Sequence, residues 1–219
     1  MKIYCISDLH IGYEYSNYPK IKEILELITG SADSLILCGD ILDLWRTSIS
    51  EIKRKEPMKS TYNALLSTVQ EVPTTYVWGN HDYNVWKKNK EIEKYMKITD
   101  DFTSKGIYYC HGWRFDLQQR FGSILYGWLV ERFPVLYQLF FKKPYEIKAK
   151  EEKYSVFSSA VHDQARIFIK QKKIKYLIMG HTHDPLIDGK LVDCGDMVDS
   201  LSFVIIENGK PRLEKMKRK

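Results

Sequence analysis

The chain has 219 residues, of which 44% are hydrophobic and 28% charged, with 12 glycines, 7 prolines and a formal net charge of +6. This composition is too apolar for a disordered segment and too varied for a fibre or low-complexity repeat, so it predicts a globular protein. At roughly 150 residues per domain, the length predicts one large domain, or one domain that carries an insertion. The basic charge is concentrated in 113–150 and 210–219. That distribution favours an anionic substrate or surface over a uniformly basic nucleic-acid binder.

Seven short apolar runs, each bounded by turn residues, predict buried strands. They lie at 2–7, 34–38, 74–78, 106–110, 175–179, 190–194 and 201–206. Apolar residues at helical spacing predict helices at 19–29, 57–71 and 83–97, between the early strands. Asp188-Gly189 and Asn208-Gly209 predict hairpins between the late strands. This order predicts an α/β fold of two stacked mixed sheets with helices outside.

A helical insertion, which would cap the domain, is predicted between the fourth and fifth of these strands, at about 114–172. Its first half is rich in aromatic and aliphatic residues, but charged residues and Pro134 interrupt it. Two short helices broken at Pro134 therefore fit better than a membrane span. From Glu146 onward, apolar residues every three or four positions predict a longer helix. Residues 210–219 are predicted to form a basic, solvated C-terminal tail.

Four dispersed cysteines, none of them in a C-x-x-C pair, are predicted to be reduced packing residues in the core: Cys5, Cys38, Cys110 and Cys194. The sequence begins Met1-Lys2-Ile3 without the long apolar segment of a secretory signal. Both features predict a cytoplasmic protein. Peripheral contact with a membrane through the apolar, basic cap is an alternative that the sequence leaves open.

Five of the six histidines stand just beyond predicted strands, next to Asp, Asn or Gly. Because ligands in α/β sheets bind at the carboxyl ends of strands, these residues are expected to converge on one rim. In an extended segment Asp8 and His10 face the same way, and so do His181 and His183. The sixth histidine, His162, falls within a predicted helix. It is expected on the helix surface or partly buried, without a metal role.

Asp40, Asn80 and His111 follow other predicted strands and complete a set of seven nitrogen and oxygen ligands without a thiolate. Such a set favours manganese, iron, zinc or cobalt over a structural zinc site built from cysteines. Each short motif alone is common in proteins that bind no metal. Their joint occurrence at strand ends favours a metal centre. Seven ligands exceed the needs of one ion and suffice for two ions about 3.5–4 Å apart.

The segments Asp8-x-His10, Gly39-Asp40, Gly79-Asn80-His81-Asp82, His111 and Gly180-His181-x-His183 resemble the five-motif signature of the calcineurin-like metallophosphoesterases. The resemblance implies a four-layer α/β/β/α sandwich with a helical insertion between the fourth and fifth motifs. It also implies two divalent metal ions, with manganese expected and iron, zinc, cobalt or nickel as alternatives. One ion would be held by Asp8, His10, Asp40 and His183. The other would be held by Asp40, Asn80, His111 and His181.

By the same resemblance, His81 would lie near the oxygen of the leaving group, with Asp82 orienting its ring. Within the family, the chain looks most like the UDP-2,3-diacylglucosamine pyrophosphohydrolases, on the strength of 7–10, 39–45 and the insertion after His111. It carries His81 and Trp113 where those enzymes usually have Arg and Asp. The residues expected to contact substrate are Asp43, Trp45, Arg120, Trp128 and Arg132.

The expected activity is hydrolysis of a phosphodiester or pyrophosphate bond by a metal-bridging hydroxide. The expected substrate is a phosphorylated small molecule, nucleotide-linked or lipid-like. One alternative is a phosphodiesterase or nuclease that acts on nucleotides or nucleic acid. A second alternative is a non-catalytic scaffold on the same fold, which would be expected to lack some of the ligands. A panel of a UDP-linked lipid, nucleotides and single-stranded DNA would discriminate among these activities.

Overall fold

A six-stranded mixed sheet forms one half of the fold. The computed structural model describes residues 1–83, 85, 89–116 and 151–217, with side chains from Ser158 onward in the last helix. The strands are β1 (Lys2–Ile6), β2 (Ser34–Cys38), β3 (Thr74–Val77), β4 (Met96–Thr99), β10 (Ser202–Glu207) and β11 (Lys210–Lys215). They are ordered β11-β10-β1-β2-β3-β4. The four strands from β1 to β4 run parallel, and β10 pairs antiparallel with both β1 and β11.

A second mixed sheet of five strands lies against the first. Its strands are β5 (Asp101–Ser104), β6 (Ile107–Cys110), β7 (Tyr176–Met179), β8 (Leu186–Asp188) and β9 (Leu191–Asp193). They are ordered β5-β6-β7-β9-β8. β6, β7 and β9 are parallel, whereas β5 and β8 are antiparallel edge strands. The carboxyl ends of β6 and β7 therefore reach the same rim of this sheet.

Four helices are described: α1 (Tyr18–Ser31), α2 (Ile49–Ile52), α3 (Met58–Glu71) and α4 (Glu151–Lys172). The side chain of Asn17 caps α1 by accepting a hydrogen bond from the backbone N–H of Lys20, and Pro19 lies in the first turn. Both residues favour a helix start because they leave fewer unsatisfied N–H groups there. Within the described ranges, no helix is both long and apolar enough to cross a membrane.

Successive side chains of each strand point to opposite faces of its sheet, and this divides the core into three apolar layers. Tyr4 and Ile6 of β1 pack against α1 and α3, whereas Cys5 faces the other sheet. In β7, Ile178 faces the first sheet, and Leu177 and Met179 pack against α4. Each sheet therefore contributes to two layers. The order helix, sheet, sheet, helix confirms the predicted four-layer α/β/β/α sandwich.

Most predicted elements are confirmed, with two corrections. All seven predicted strands, the helices at 19–29 and 57–71, and both hairpins are present, and the four cysteines are buried and free. The predicted helix at 83–97 is wrong over its second half, because Ile92–Lys94 is a 3-10 turn and Met96–Thr99 is a strand. Residues 210–215, predicted as part of a tail, form β11. Of the predicted cap at 114–172, residues 117–150 lie outside the described ranges.

Candidate metal centre

The loops that follow β1, β2, β3, β6 and β7 meet at one rim, and two glycines allow their close approach. A Cβ atom on Gly79 would lie 2.2 Å from Asp40 Oδ1, and one on Gly180 would lie 1.8 Å from Ser7 Oγ. Both distances are far below van der Waals contact, so only glycine fits at these positions. Backbone hydrogen bonds join two of the loops, from the Asp8 N–H to the Gly39 carbonyl at 3.0 Å and from the His10 N–H to the Asp40 carbonyl at 2.9 Å.

Backbone strain is concentrated in the same loops. Nine non-glycine residues in the described part of the chain have positive φ. Five of them are predicted ligands: Asp8 (53°), His10 (47°), Asp40 (53°), His181 (84°) and His183 (59°). A non-glycine residue in this left-handed region costs about 1–3 kcal/mol and persists only where surrounding contacts hold it. Such strain is typical of functional sites.

The first cluster of potential ligands consists of Asp8, His10 and His183. Asp8 Oδ1 lies 3.6 Å from His10 Nε2 and 3.3 Å from His183 Nε2. The other oxygen, Asp8 Oδ2, accepts hydrogen bonds from the Ser7 hydroxyl and the His181 backbone N–H. These two donors fix the carboxylate and leave Oδ1 directed at the imidazoles.

The second cluster consists of Asp40, His111 and His181. His111 Nδ1 lies 2.7 Å from the Cys38 carbonyl, to which it donates, so Nε2 is the nitrogen that would bind a cation once it is deprotonated. That Nε2 lies 3.3 Å from Asp40 Oδ2, while Asp40 Oδ1 accepts the backbone N–H of His81. Asp40 also groups with His10 and His81. It therefore lies between the two clusters, where the family resemblance expects a bridging carboxylate.

Most of the buried polar atoms without a hydrogen-bond partner lie in these clusters, and they indicate whether the residues fit a metal. Within the described ranges, six buried side-chain nitrogen or oxygen atoms have no hydrogen-bond partner. Five belong to predicted ligands: Asp8 Oδ1, His10 Nδ1, His10 Nε2, Asn80 Oδ1 and His111 Nε2. A buried polar atom without a partner is costly, so each needs an explanation. Two ligands about 2.1 Å from one cation are about 3.0–3.4 Å apart, close to the nitrogen-to-oxygen distances above. These residues therefore fit divalent cations.

Charges of opposite sign shift the pKa values of the site residues. Burial opposes ionisation of Asp8, but His111 and His183 outweigh it and hold the pKa of that carboxyl well below its usual range. Burial likewise opposes the charged form of His111, yet Asp40 and Asp8 raise its pKa to about 10. For His181, burial dominates and lowers the pKa. The buried carboxylates thus make the cavity favourable for positive charge, whether carried by protons or by metal ions.

His81 lies at the mouth of the site, and Asp43 orients it. Its Nδ1 is 3.2 Å from Asp43 Oδ1, its Nε2 is 4.0 Å from Asp40 Oδ2, and its ring stacks on Trp45 at a centroid distance of 4.0 Å. Asp43 is fully buried and also contacts His10 and Arg46. Asp43 therefore lies behind the histidines, and its contact with substrate stays a prediction.

The predicted role of Asp82 needs correction. Its buried carboxylate accepts hydrogen bonds from the Tyr76 hydroxyl and from the backbone N–H groups of Ile41 and Gly79. Asp82 thus ties the loop after β3 to the loop after β2 and makes no contact with the His81 ring among the described residues. The spacing of Asp40 and Asp43 in one loop is the sequence signal that could have identified the true partner of His81.

Three further residues near the centre were not anticipated. Arg46 Nη1 lies 3.5 Å from His81 Nδ1, and its guanidinium stands over the Tyr13 ring at 4.6 Å. Asp116 is buried with Oδ2 3.4 Å from His181 Nε2, and Asp196 Oδ2 lies 3.7 Å from His183 Nδ1. Carboxylates beside histidine ligands are a recurrent feature of metal sites. Asp116 is 65 residues from His181 along the chain, so no local sequence signal points to it. Arg120, Trp128 and Arg132, predicted to contact substrate, lie outside the described ranges.

The comparison with solved structures finds similar folds at low sequence identity. Vacuolar protein sorting 29 from Cryptosporidium parvum is 14% identical, with 97% of this chain and 95% of that chain covered and a TM-score of 0.48. A predicted phosphoesterase from Streptococcus pneumoniae TIGR4 is 13% identical, with coverages of 98% and 97% and a TM-score of 0.40. The nuclease MPE of Pseudomonas putida is 18% identical, with coverages of 50% and 53% and a TM-score of 0.37.

The comparison with protein families gives the identity. No curated protein sequence matches the chain. The family model described as calcineurin-like phosphoesterase matches residues 1–185, a range that contains all seven candidate ligands and His81. The chain therefore belongs to the calcineurin-like phosphoesterase family and is a metal-dependent phosphoesterase.

Proposed function

We propose that the centre binds two divalent cations, manganese first among them, and that the protein hydrolyses a phosphodiester or pyrophosphate bond. The observation that carries this proposal is the set of five unpartnered buried atoms, which belong to Asp8, His10, Asn80 and His111. Nitrogen, carboxylate and amide ligands without thiolate suit manganese. When bound, such cations polarise the phosphoryl oxygens and lower the pKa of water to about 7, which supplies the nucleophile at neutral pH.

The protein's own contribution is to hold the ligands in place before a cation or substrate arrives. Asp8 keeps one oxygen free because Ser7 and His181 occupy the other. The ring of His111 is fixed by the Cys38 carbonyl, so its Nε2 faces Asp40. Because these contacts are made by the protein's own groups, little reorganisation is required when charge develops on the phosphoryl group.

His81 is the residue best placed to assist the departing oxygen. Its Nδ1 is held by Asp43, so Nε2 is the ring atom that faces the cluster. Stacking on Trp45 fixes the plane of the ring. From this position Nε2 would donate a proton or a hydrogen bond to the leaving group, a role worth typically about 10²–10⁴-fold in rate. Asp43 and Trp45 act through His81 as positioning residues.

The substrate proposed is nucleotide-linked or lipid-like. Hydrolysis of a pyrophosphate bond in it would give two phosphomonoesters, and hydrolysis of a phosphodiester bond would give one phosphomonoester and one alcohol. This substrate class is supported by the sequence of 117–150, where aromatic and aliphatic residues alternate with Arg120, Arg132 and other basic residues. Such a segment suits acyl chains and phosphate or lipid headgroups. The four free cysteines support a reducing, cytoplasmic location, with peripheral membrane contact through that segment.

A second candidate, a phosphodiesterase acting on nucleotides or nucleic acid, is favoured by the aromatic residues beside Asn80. Trp78 follows β3 directly and packs against Tyr83 at a centroid distance of 4.9 Å and against Trp113 at 5.7 Å. Nucleobases stack on aromatic side chains of this kind with about 1–3 kcal/mol per base. Arg46 near His81 adds a cation that a phosphate could contact.

The test is turnover of bis(p-nitrophenyl) phosphate by protein stripped with a chelator and reloaded with Mn²⁺. We expect activity that depends on added Mn²⁺ and falls at least about a hundredfold in Asp40→Asn, since several kcal/mol of charge stabilisation are lost. Asp33→Asn, an exposed change at the opposite end of the sheet, is the matched control. Absence of Mn²⁺-dependent turnover in the wild type would contradict the proposal. A panel of a UDP-linked diacyl lipid, cyclic nucleotides and single-stranded DNA then separates the two candidate substrate classes.

A further inference from the structure

Helix α4 contributes a buried histidine that no step above uses. His162 was expected on the helix surface or partly buried, but only 4% of it is exposed. It lies on the face of α4 that packs against the second sheet, together with Val161 and Ala165. A buried imidazole among apolar residues requires hydrogen-bond partners, and the nature of those partners indicates its role.

One partner of His162 belongs to the loop that carries two predicted ligands, and the other lies at the end of β9. His162 Nε2 lies 3.1 Å from Asp193 Oδ2 and 3.4 Å from Thr182 Oγ1. The Thr182 hydroxyl donates to the same Asp193 oxygen at 2.8 Å and accepts the backbone N–H of Asp184 at 3.1 Å. Asp193 Oδ1 accepts the backbone N–H of Gly195 at 2.9 Å. His162 Nε2, the Thr182 hydroxyl and both carboxylate oxygens of Asp193 therefore each have a hydrogen-bond partner, and Thr182 connects them to the loop.

Thr182 stands between the two residues whose backbone is most in need of support. His181 and His183 both have positive φ, 84° and 59°, which is a strained conformation for residues other than glycine. A conformation of this kind persists only where neighbouring structure over-determines it. The hydrogen bonds of the Thr182 hydroxyl to Asp193 and to the Asp184 N–H supply support of this kind.

Two other contacts tie the same loop to rigid elements. Asp193 ends β9 and pairs with Met179 at the end of β7, so its carboxylate is anchored in the sheet. The Ser158 hydroxyl, one turn before His162 on α4, donates to Asp184 Oδ2 at 2.9 Å. The loop is thus held between a strand end on one side and a helix on the other.

From this geometry we infer that His162, Asp193 and Thr182 are positioning residues of the metal centre, which fix His181 and His183 in the conformation that binds cations. The inference rests on the metal centre of the proposed function. It assigns to α4 a role beyond packing, because the helix holds the ligand loop through hydrogen bonds. Groups that support metal ligands in this way typically contribute about 10–100-fold to metal affinity.

The experiment measures Mn²⁺ affinity by calorimetric titration, and the visible absorption of the Co²⁺ form, in variants matched for size. Thr182→Val removes the hydroxyl, and Thr182→Ser retains it. His162→Leu removes the ring nitrogen, and His162→Gln retains an N–H donor. Thr68→Val, which removes a buried hydroxyl between α3 and α1, is the control for a loss of stability alone. Asp193→Asn is isosteric and provides a folded variant where Thr182→Val or His162→Leu fails to fold.

We expect Thr182→Val and His162→Leu to lower Mn²⁺ affinity about tenfold or more and to change the Co²⁺ spectrum, with Thr182→Ser and His162→Gln recovering most of both. Thr68→Val should lower the melting temperature but leave affinity and spectrum unchanged. If all network variants, Asp193→Asn included, bind Mn²⁺ as the wild type does and differ only in melting temperature, the network is structural and the inference is wrong. A wild type that binds no Mn²⁺ would overturn the proposed function as well.

Discussion

Replacing Gly180 by alanine is the most direct way to perturb the close contact between the loops that follow β1 and β7. The added Cβ would lie 1.8 Å from Ser7 Oγ, 2.5 Å from Ser7 Cβ and 2.5 Å from Asp8 Oδ2. Rotation of the Ser7 hydroxyl would relieve only the first of these clashes. The loops after β1 and β7 must therefore separate by about 1 Å, which is far more than a packed interior absorbs without loss.

The cost of that separation follows from the contacts it breaks. Overpacking of this kind costs typically about 1–3 kcal/mol. Asp8 also loses the hydrogen bonds from Ser7 and from the His181 N–H, and bonds to a charged group contribute about 1.5–3 kcal/mol each. We expect Gly180→Ala to lower the free energy of unfolding by about 4–9 kcal/mol. For a chain of this size, that corresponds to a fall of roughly 10 °C or more in melting temperature.

Gly30→Ala provides the control with the same chemical change. Gly30 lies in α1 with no atom within 4 Å of the position of a Cβ, so alanine there should raise stability by about 0.5–1 kcal/mol. Thermal unfolding followed by circular dichroism, with Mn²⁺ titration of each protein, measures both effects. Equal melting temperatures and equal Mn²⁺ affinities for Gly180→Ala and Gly30→Ala would refute the close approach on which the centre depends.

Three further predictions concern the site itself. His81→Ala should retain bound metal but slow turnover, most for substrates with poor leaving groups; loss of metal from this variant would instead make His81 a ligand. Asp43→Asn should reduce turnover in the same direction while Trp45 still stacks on His81, and an unchanged rate would remove Asp43 as the orienting residue. In the metal-free protein, the pKa of His111 is raised to about 10 against about 6.5 in an unfolded chain. The stability this histidine contributes is therefore full below about pH 6.5 and lost as pH rises toward 10. The melting temperature should therefore fall between about pH 6.5 and 10. The fall should be smaller in saturating Mn²⁺, because a metal ligand must be a neutral imidazole. A melting temperature that does not change with pH in the absence of metal would contradict the raised pKa of His111.

The rim of the fold could be predicted from the sequence because its signals are local. Apolar runs end abruptly at Ser7, Gly39 and Gly79, and the polar residues that follow can only lie at the carboxyl ends of strands. Strands at the sheet edges gave no such signal. β4 follows a 3-10 turn and has only four residues, so its sequence was interpreted as part of a helix. β11 carries charges that protect an exposed edge, so its sequence was interpreted as a solvated tail.

The hydrogen-bond partners of the site side chains could not be predicted from the sequence, because they depend on the tertiary structure. Asp82 is next to His81 in sequence, but neighbouring residues point in different directions, and its carboxylate instead binds Tyr76 and the loop after β2. Asp43 reaches His81 from that other loop. For His162 the signal was present and was not used. Ser158, His162, Ala165 and Ile169 share one face of α4 at intervals of three and four residues, and all four are buried.

Anomalous diffraction from crystals soaked in Mn²⁺ tests the central claim most directly, because it locates cations without reference to activity. The proposed centre predicts two peaks at the strand-end rim. One peak should lie among Asp8, His10 and His183, and the other among Asp40, Asn80, His111 and His181. The absence of any peak at this rim, or a single peak whose ligands do not include Asp40, would contradict the two-cation centre.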